Sequence, residues 1–109
     1  MPRKIEAYFG EILESIEAIN SYVKGMDFGG YTKDGKTKAA VERKLLIIGE
    51  ALNQMKGVNP DFEKKVTDFR KIVGFRNILV LGYFGIDDAL VWDVVTNKMA
   101  QLKVDIKKL

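Results

Sequence analysis

Arg76 and Asn77 open the apolar run Ile78-Leu79-Val80-Leu81, which breaks at Gly82-Tyr83, within the stretch GFRNILVLGYFGID at 74–87. A guanidinium can grip a phosphate through its planar fork of donors and offset charge that builds there. A tyrosine seven residues later shares the helical face of Arg76 if the helix runs through. Position 81 lies five residues from Arg76, about 140° around a straight helix and roughly 7.5 Å along it. The three positions meet near a helix end only if the backbone unwinds near Gly82, which glycine permits. The same residues also fit a purely structural role. In that role Arg76 pairs with a helix carboxylate and Tyr83 is an amphipathic packing residue. Spacing alone names no function.

Composition restricts the chemistry these residues can draw on. The chain has 109 residues, 47% hydrophobic and 30% charged, with neither histidine nor cysteine. Without histidine the commonest general acid/base, metal ligand and physiological pH switch are gone, so proton transfer falls to carboxylates, Lys or Tyr. Without cysteine there is no disulfide framework and no thiolate metal site. No carboxylate spacing matches a metal site, and no cofactor is implied. The net charge of +3 permits nucleic-acid contact without arguing for it. No apolar run approaches the ~20 residues of a membrane helix. The N-terminal MPRKIEAYFG lacks an apolar signal core. The expectation is one cytoplasmic domain over 1–109, without a membrane segment.

Four helices are expected to position the motif. Ile5, Phe9, Ile12, Ile16, Ile19 and Val23 form one apolar stripe, with Glu6, Glu11, Glu14 and Glu17 on a solvated face. GMDFGGYTKDGKTK at 25–38 has no period and reads as a loop, whose Lys33, Lys36 and Lys38 are candidate phosphate contacts. Val41, Leu45, Ile48, Leu52 and Met55 mark a second helix ending at Gly57. Asn59-Pro60-Asp61 is a start signal, with Asn59 as N-cap. Phe62, Val66, Phe69 and Val73 mark a third helix continuing through Val80. Asp87 reads as the N-cap of a last helix carrying Val91, Val95, Met99, Leu102 and Ile106. Short connections between amphipathic helices imply an all-α, antiparallel four-helix-bundle-like fold.

GFRNILVLGYFGIDDALVW at 74–92 resembles the signature of the HepT-like toxins of the HEPN superfamily, small α-helical ribonucleases. That signature is an arginine, four variable residues, a histidine, any residue and a tyrosine. Arg76 matches the arginine, Asn77 the polar residue that usually follows it, and Gly82-Tyr83 the end, so the resemblance implies Arg76, Asn77 and position 81 as the catalytic residues. The resemblance extends back through AVERKLLIIGEALNQM at 40–55, including Gly49-Glu50-Ala51, and forward through Asp87 to Trp92. It departs at position 81, where the family histidine is Leu81.

The resemblance implies metal-independent RNA cleavage, with the histidine moving a proton at the ribose 2′-OH or leaving oxygen and the arginine holding the scissile phosphate. Leucine can do neither half of proton transfer. The expectation is a chain that is catalytically dead or severely impaired, with RNA binding through Arg76 retained. The resemblance also implies a homodimer and a toxin–antitoxin pair. The partner there is a minimal nucleotidyltransferase of the MntA type that transfers AMP to the motif tyrosine, here Tyr83. Trp92, Tyr83, Phe84 and Phe75 are candidates for apolar dimer surface, or else they complete the protomer core. A non-catalytic helical partner or AMPylation substrate of a nucleotidyltransferase is the alternative function.

Overall fold

Ile12, Ile16 and Ile19 are buried along helix α1, which runs Ile5–Val23. The structure is a computed structural model describing residues 4–82 and 85–109. After α1 come α2 (Phe28–Lys33), α3 (Gly35–Val58), α4 (Phe62–Lys65), α5 (Phe69–Val80), α6 (Asp88–Asn97) and α7 (Met99–Lys107). No strand occurs among the described residues, and no helix there is long and apolar enough to cross a membrane. The fold is an all-α bundle. Helices α1 and α3 and the pairs α4–α5 and α6–α7 take the places of the four expected helices.

The rods alternate in direction. Tyr22, near the end of α1, lines a hollow with Lys36 and Thr37 from the start of α3. Lys56, late in α3, pairs with Glu63 at 3.3 Å, and Glu63 also pairs with Arg70 at the start of α5. Earlier in α3, Gly49 lies against Arg76, farther along α5. Both neighbours of α3 therefore run antiparallel to it. All five residues of the α3 stripe, Val41 through Met55, are buried. A fully buried aliphatic side chain contributes about 1.5–3 kcal/mol, so this stripe is a main source of stability.

Four details differ from the periodic reading. Residues 25–38 are mostly helical: they hold α2 and the first turn of α3. Asp27 accepts from the Gly30 amide at 2.7 Å, and Asp34 accepts from the Thr37 amide at 3.0 Å, so each helix has an N-cap. Two glycines disfavour α2, but the fully buried Tyr31 ring packs 5.1 Å from Trp92 and offsets them. Helix α3 runs one residue past Gly57, and Asn59 is its C-cap rather than an N-cap; its side chain accepts from the Asp61 amide.

The third and last helices are each broken. The chain leaves the helix at Val66, and Asp68 takes φ +57°. Aspartate tolerates that region better than most residues. The last helix bends at Lys98 between α6 and α7. The two breaks are tied together: Lys98 donates to Asp68 at 2.9 Å, and the Thr67 amide donates to the buried Asp105 of α7 at 2.8 Å. These contacts are long-range, so a local period cannot reveal them. Lys98 beside Asp68 holds that carboxyl below its ordinary value. Burial alone would raise Asp105, but hydrogen bonds from Thr67 and Gln101 outweigh it and keep the carboxyl low.

Candidate nucleic-acid site

Helix α5 carries the motif because one of its faces is apolar at helical spacing. Phe69, Ile72 and Phe75 are buried, and Leu79 packs on the core edge. That anchoring places Arg76 on the flank towards α3. A Cβ at Gly49 would sit 2.8 Å from Arg76 Cβ, so the two helices are in backbone-close contact there. The Arg76 stem lies along α3 and its head is partly exposed. Nη1 donates to Asn77 Oδ1 at 3.1 Å. Nε is buried, 3.7 Å from Glu50 Oε1, and has no hydrogen-bond partner among the described residues. The pairing of Arg76 with a helix carboxylate, the structural role open in the sequence, is thus present.

Position 81 is the C-cap of α5. Its amide still donates to Asn77 O at 3.0 Å. The helix is therefore wound through residue 81, and Arg76 and Leu81 remain on different faces of one chain. Unwinding near Gly82 comes too late to bring them together. Asn77 is the link: it bonds Arg76, and with Ile78, Leu81, Gly82 and Gly85 it lines an open hollow of about 330 Å³. Leu81 is 63% exposed there. Gly85 has φ +97°, a conformation that favours glycine, and sets the turn. Asp87 then caps α6, accepting from the Ala89 amide at 2.9 Å and the Leu90 amide at 3.4 Å.

Tyr83 and Phe84 lie outside the described residues. Phe75 is 5% exposed, and Trp92 packs on Tyr31 and Phe28 of α2. These two aromatics complete the protomer rather than forming a shared outer patch. The exposed apolar residues near the motif are instead Ile78, Val80, Leu81 and Leu90. Ile78 and Leu90 line a second hollow, about 390 Å³, between α5 and α6 with Phe75 on its wall and Lys71 and Asp93 among its polar residues. Periodicity missed this cleft because it depends on how far α6 stands from α5.

Lys33 and Lys36 are exposed, Lys33 in the last turn of α2 and Lys36 in the first turn of α3. Lys36 lies about 20 Å along α3 from Gly49, at 1.5 Å per residue, so neither lysine converges on Arg76. Among the described residues no group of three or more carboxylates gathers closely enough to hold a metal ion. The sequence reading also missed Gly49 as a neighbour of Arg76. Its signal was a glycine inside a long helix, beside the apolar stripe, where alanine is better by about 1 kcal/mol.

A family model described as Ribonuclease HepT-like matches residues 12–109. A protein of Methanocaldococcus jannaschii that carries a provisional RNase name is 34% identical over 107 residues, covering 96% of this chain and 95% of its own. A second from that organism, also provisionally named an RNase, is 36% identical over 112 residues, covering 100% of this chain and 88% of its own. "Probable ribonuclease HepT" of Thermococcus cleftensis is 33% identical over 111 residues, covering 100% of this chain and 98% of its own. No solved structure matches the chain.

Proposed function

The chain belongs to the HepT-like ribonuclease family, and from that premise we propose that residues 1–109 form one RNA-binding toxin domain whose cleavage chemistry is disabled at position 81. The observation that carries this reading is Leu81. It stands exposed on the rim of the hollow that Asn77 lines beside Arg76. A side chain there reaches solvent and any bound RNA, yet leucine has no group that accepts or donates a proton. Arg76 keeps a guanidinium to hold a backbone phosphate. Loss of general acid–base help lowers a rate by about 10²–10⁴-fold.

The test is RNA cleavage by the protein and by Leu81→His, side by side with chelator present. Cleavage confined to the histidine variant supports the reading; comparable cleavage by the unaltered chain overturns it. Inactivity of both folded proteins favours the second reading, for which Leu81 is also the motivation: a non-catalytic partner or AMPylation substrate of a nucleotidyltransferase.

The proposal extends to a cytoplasmic toxin–antitoxin pair with an MntA-like nucleotidyltransferase, which would place AMP on Tyr83. The added negative charge and bulk would compete with RNA phosphate for Arg76. Tyr83→Phe should abolish labelling by such an enzyme with ATP. It extends also to a homodimer. Two facts support that: the exposed Ile78, Leu81 and Leu90 around the motif, and the separation of Arg76 from position 81 within one protomer. Lys33 and Lys36 join the proposal as outlying phosphate contacts for a longer RNA strand.

A further inference from the structure

We propose that Gly49 is a positioning residue for Arg76: its lack of a side chain lets α5 approach α3 closely enough to deliver the guanidinium to its working place. This rests on the reading of Arg76 as the phosphate-binding group. A Cβ at Gly49 would lie 2.8 Å from Arg76 Cβ, 3.6 Å from its Cγ and 3.6 Å from the Ile72 carbonyl oxygen. Carbon atoms prefer about 3.5–4.0 Å, so the first contact is not tolerable. The obstructing atom is the root of the arginine, fixed to the α5 backbone, and no rotamer change removes it. Relief requires displacement of α5 itself.

That displacement would be felt at the head of the side chain. Arg76 is located by only a few contacts: its stem on α3, Glu50 at 3.7 Å from Nε and Asn77 at 3.1 Å from Nη1. Pushing α5 from α3 moves the Arg76–Asn77 pair away from Glu50 and shifts the hollow that Asn77 borders. Other helical glycines behave differently. At Gly10, Gly57 and Gly74 an added Cβ meets open space, so alanine there should be neutral or helix-stabilising. The close approach at Gly49 is made to the guanidinium-bearing residue itself, which separates positioning from general core packing.

The experiment is a double-mutant cycle on the full chain. Fluorescence anisotropy of a fluorescein-labelled single-stranded RNA is measured with the parent, Gly49→Ala, Arg76→Ala and the double variant. Gly49→Ala should weaken binding by about tenfold when Arg76 is present. It should change binding less than about twofold in the Arg76→Ala background, since little guanidinium energy is left to lose. Thermal unfolding should drop equally in both backgrounds, because the Arg76→Ala variant keeps the Cβ that clashes. Equal weakening of RNA binding in both backgrounds, or none in either, overturns the positioning role while leaving Arg76 as a binding residue. A folded Arg76→Ala that binds as the parent does overturns the reading of Arg76, and the role of Gly49 with it. If Gly49→Ala does not fold, the parent answers by ¹⁵N NMR. A narrow, slowly exchanging Arg76 Nε–H is expected, unlike that of the exposed Arg43. An Arg76 signal averaged like Arg43's overturns the proposal.

Discussion

Helix α5 presents two unlike faces to the rest of the molecule. Towards the core and α3, Ile72 and Phe75 are buried and the Arg76 stem lies on the α3 backbone at Gly49. Towards α6, Ile78 is 47% exposed beside a cleft of about 390 Å³. Arg76 belongs to the seated face and position 81 to the open side. The arginine is therefore held by packing that the whole fold supports, whereas residue 81 is held by little besides its own backbone. A change at 81 should therefore leave the protomer's structure undisturbed, and a histidine placed there should meet no obstacle.

Phe75→Ala should be the most disruptive probe of the seated face. Truncating a buried phenylalanine removes about 3–5 kcal/mol of stability, readable by urea unfolding; a loss below about 1 kcal/mol would mean that this face is not seated as described. Next, Arg76→Ala in the Leu81→His background should lower RNA cleavage by about 10²–10³-fold, the range for removing one charge-stabilising donor. A smaller loss than Asn77→Ala produces would shift the anchoring role to Asn77.

The Lys98–Asp68 and Thr67–Asp105 bonds that tie the two helix breaks together should respond to pH. The carboxyls of Asp68 and Asp105 are held below their ordinary value of 3.8. Their contribution is therefore complete above the unfolded-state value and is lost as pH falls through the lower folded-state values. Asp105→Ala should cost about 1–3 kcal/mol near neutral pH. It should also flatten the decline of stability on acidification; an unchanged slope would remove Asp105 from the account.

The smallest effects are expected on the open side. Leu81→His and Ile78→Ser should each change protomer stability by no more than about 0.5 kcal/mol. Ile78→Ser should nevertheless raise the dissociation constant of a homodimer measured by analytical ultracentrifugation. A dimer indifferent to Ile78 would place that contact elsewhere.

Much of the scaffold was legible in local pattern. The stripe Ile5 to Val23 marks α1 to the residue, the stripe from Val41 to Met55 is buried throughout, and Asp87 caps α6 as its position implies. Helical period and capping chemistry are short-range, so a linear reading can find them. The same reading ran the third and fourth rods straight through Val66–Asp68 and Lys98. Apolar spacing continues across both breaks, and the bonds that tie them together, Lys98–Asp68 and Asp105–Thr67, join distant residues. It likewise missed α2, where burial of Tyr31 against Trp92 overrides two glycines.

At the site, the sequence by itself determined the inventory: an arginine at 76, an asparagine at 77, a leucine at 81 and no histidine anywhere in 109 residues. Those are facts of composition and order, and no folding alters them. Tertiary structure decided how the inventory is mounted. It set Arg76 against Gly49 beside Glu50, opened a hollow beside Leu81, and left Lys36 at the far end of α3. The physical reason is that helical pitch fixes directions along one rod only. Which rod lies close enough to touch, and which stands off to leave a cleft, depends on side-chain volumes summed across the whole core.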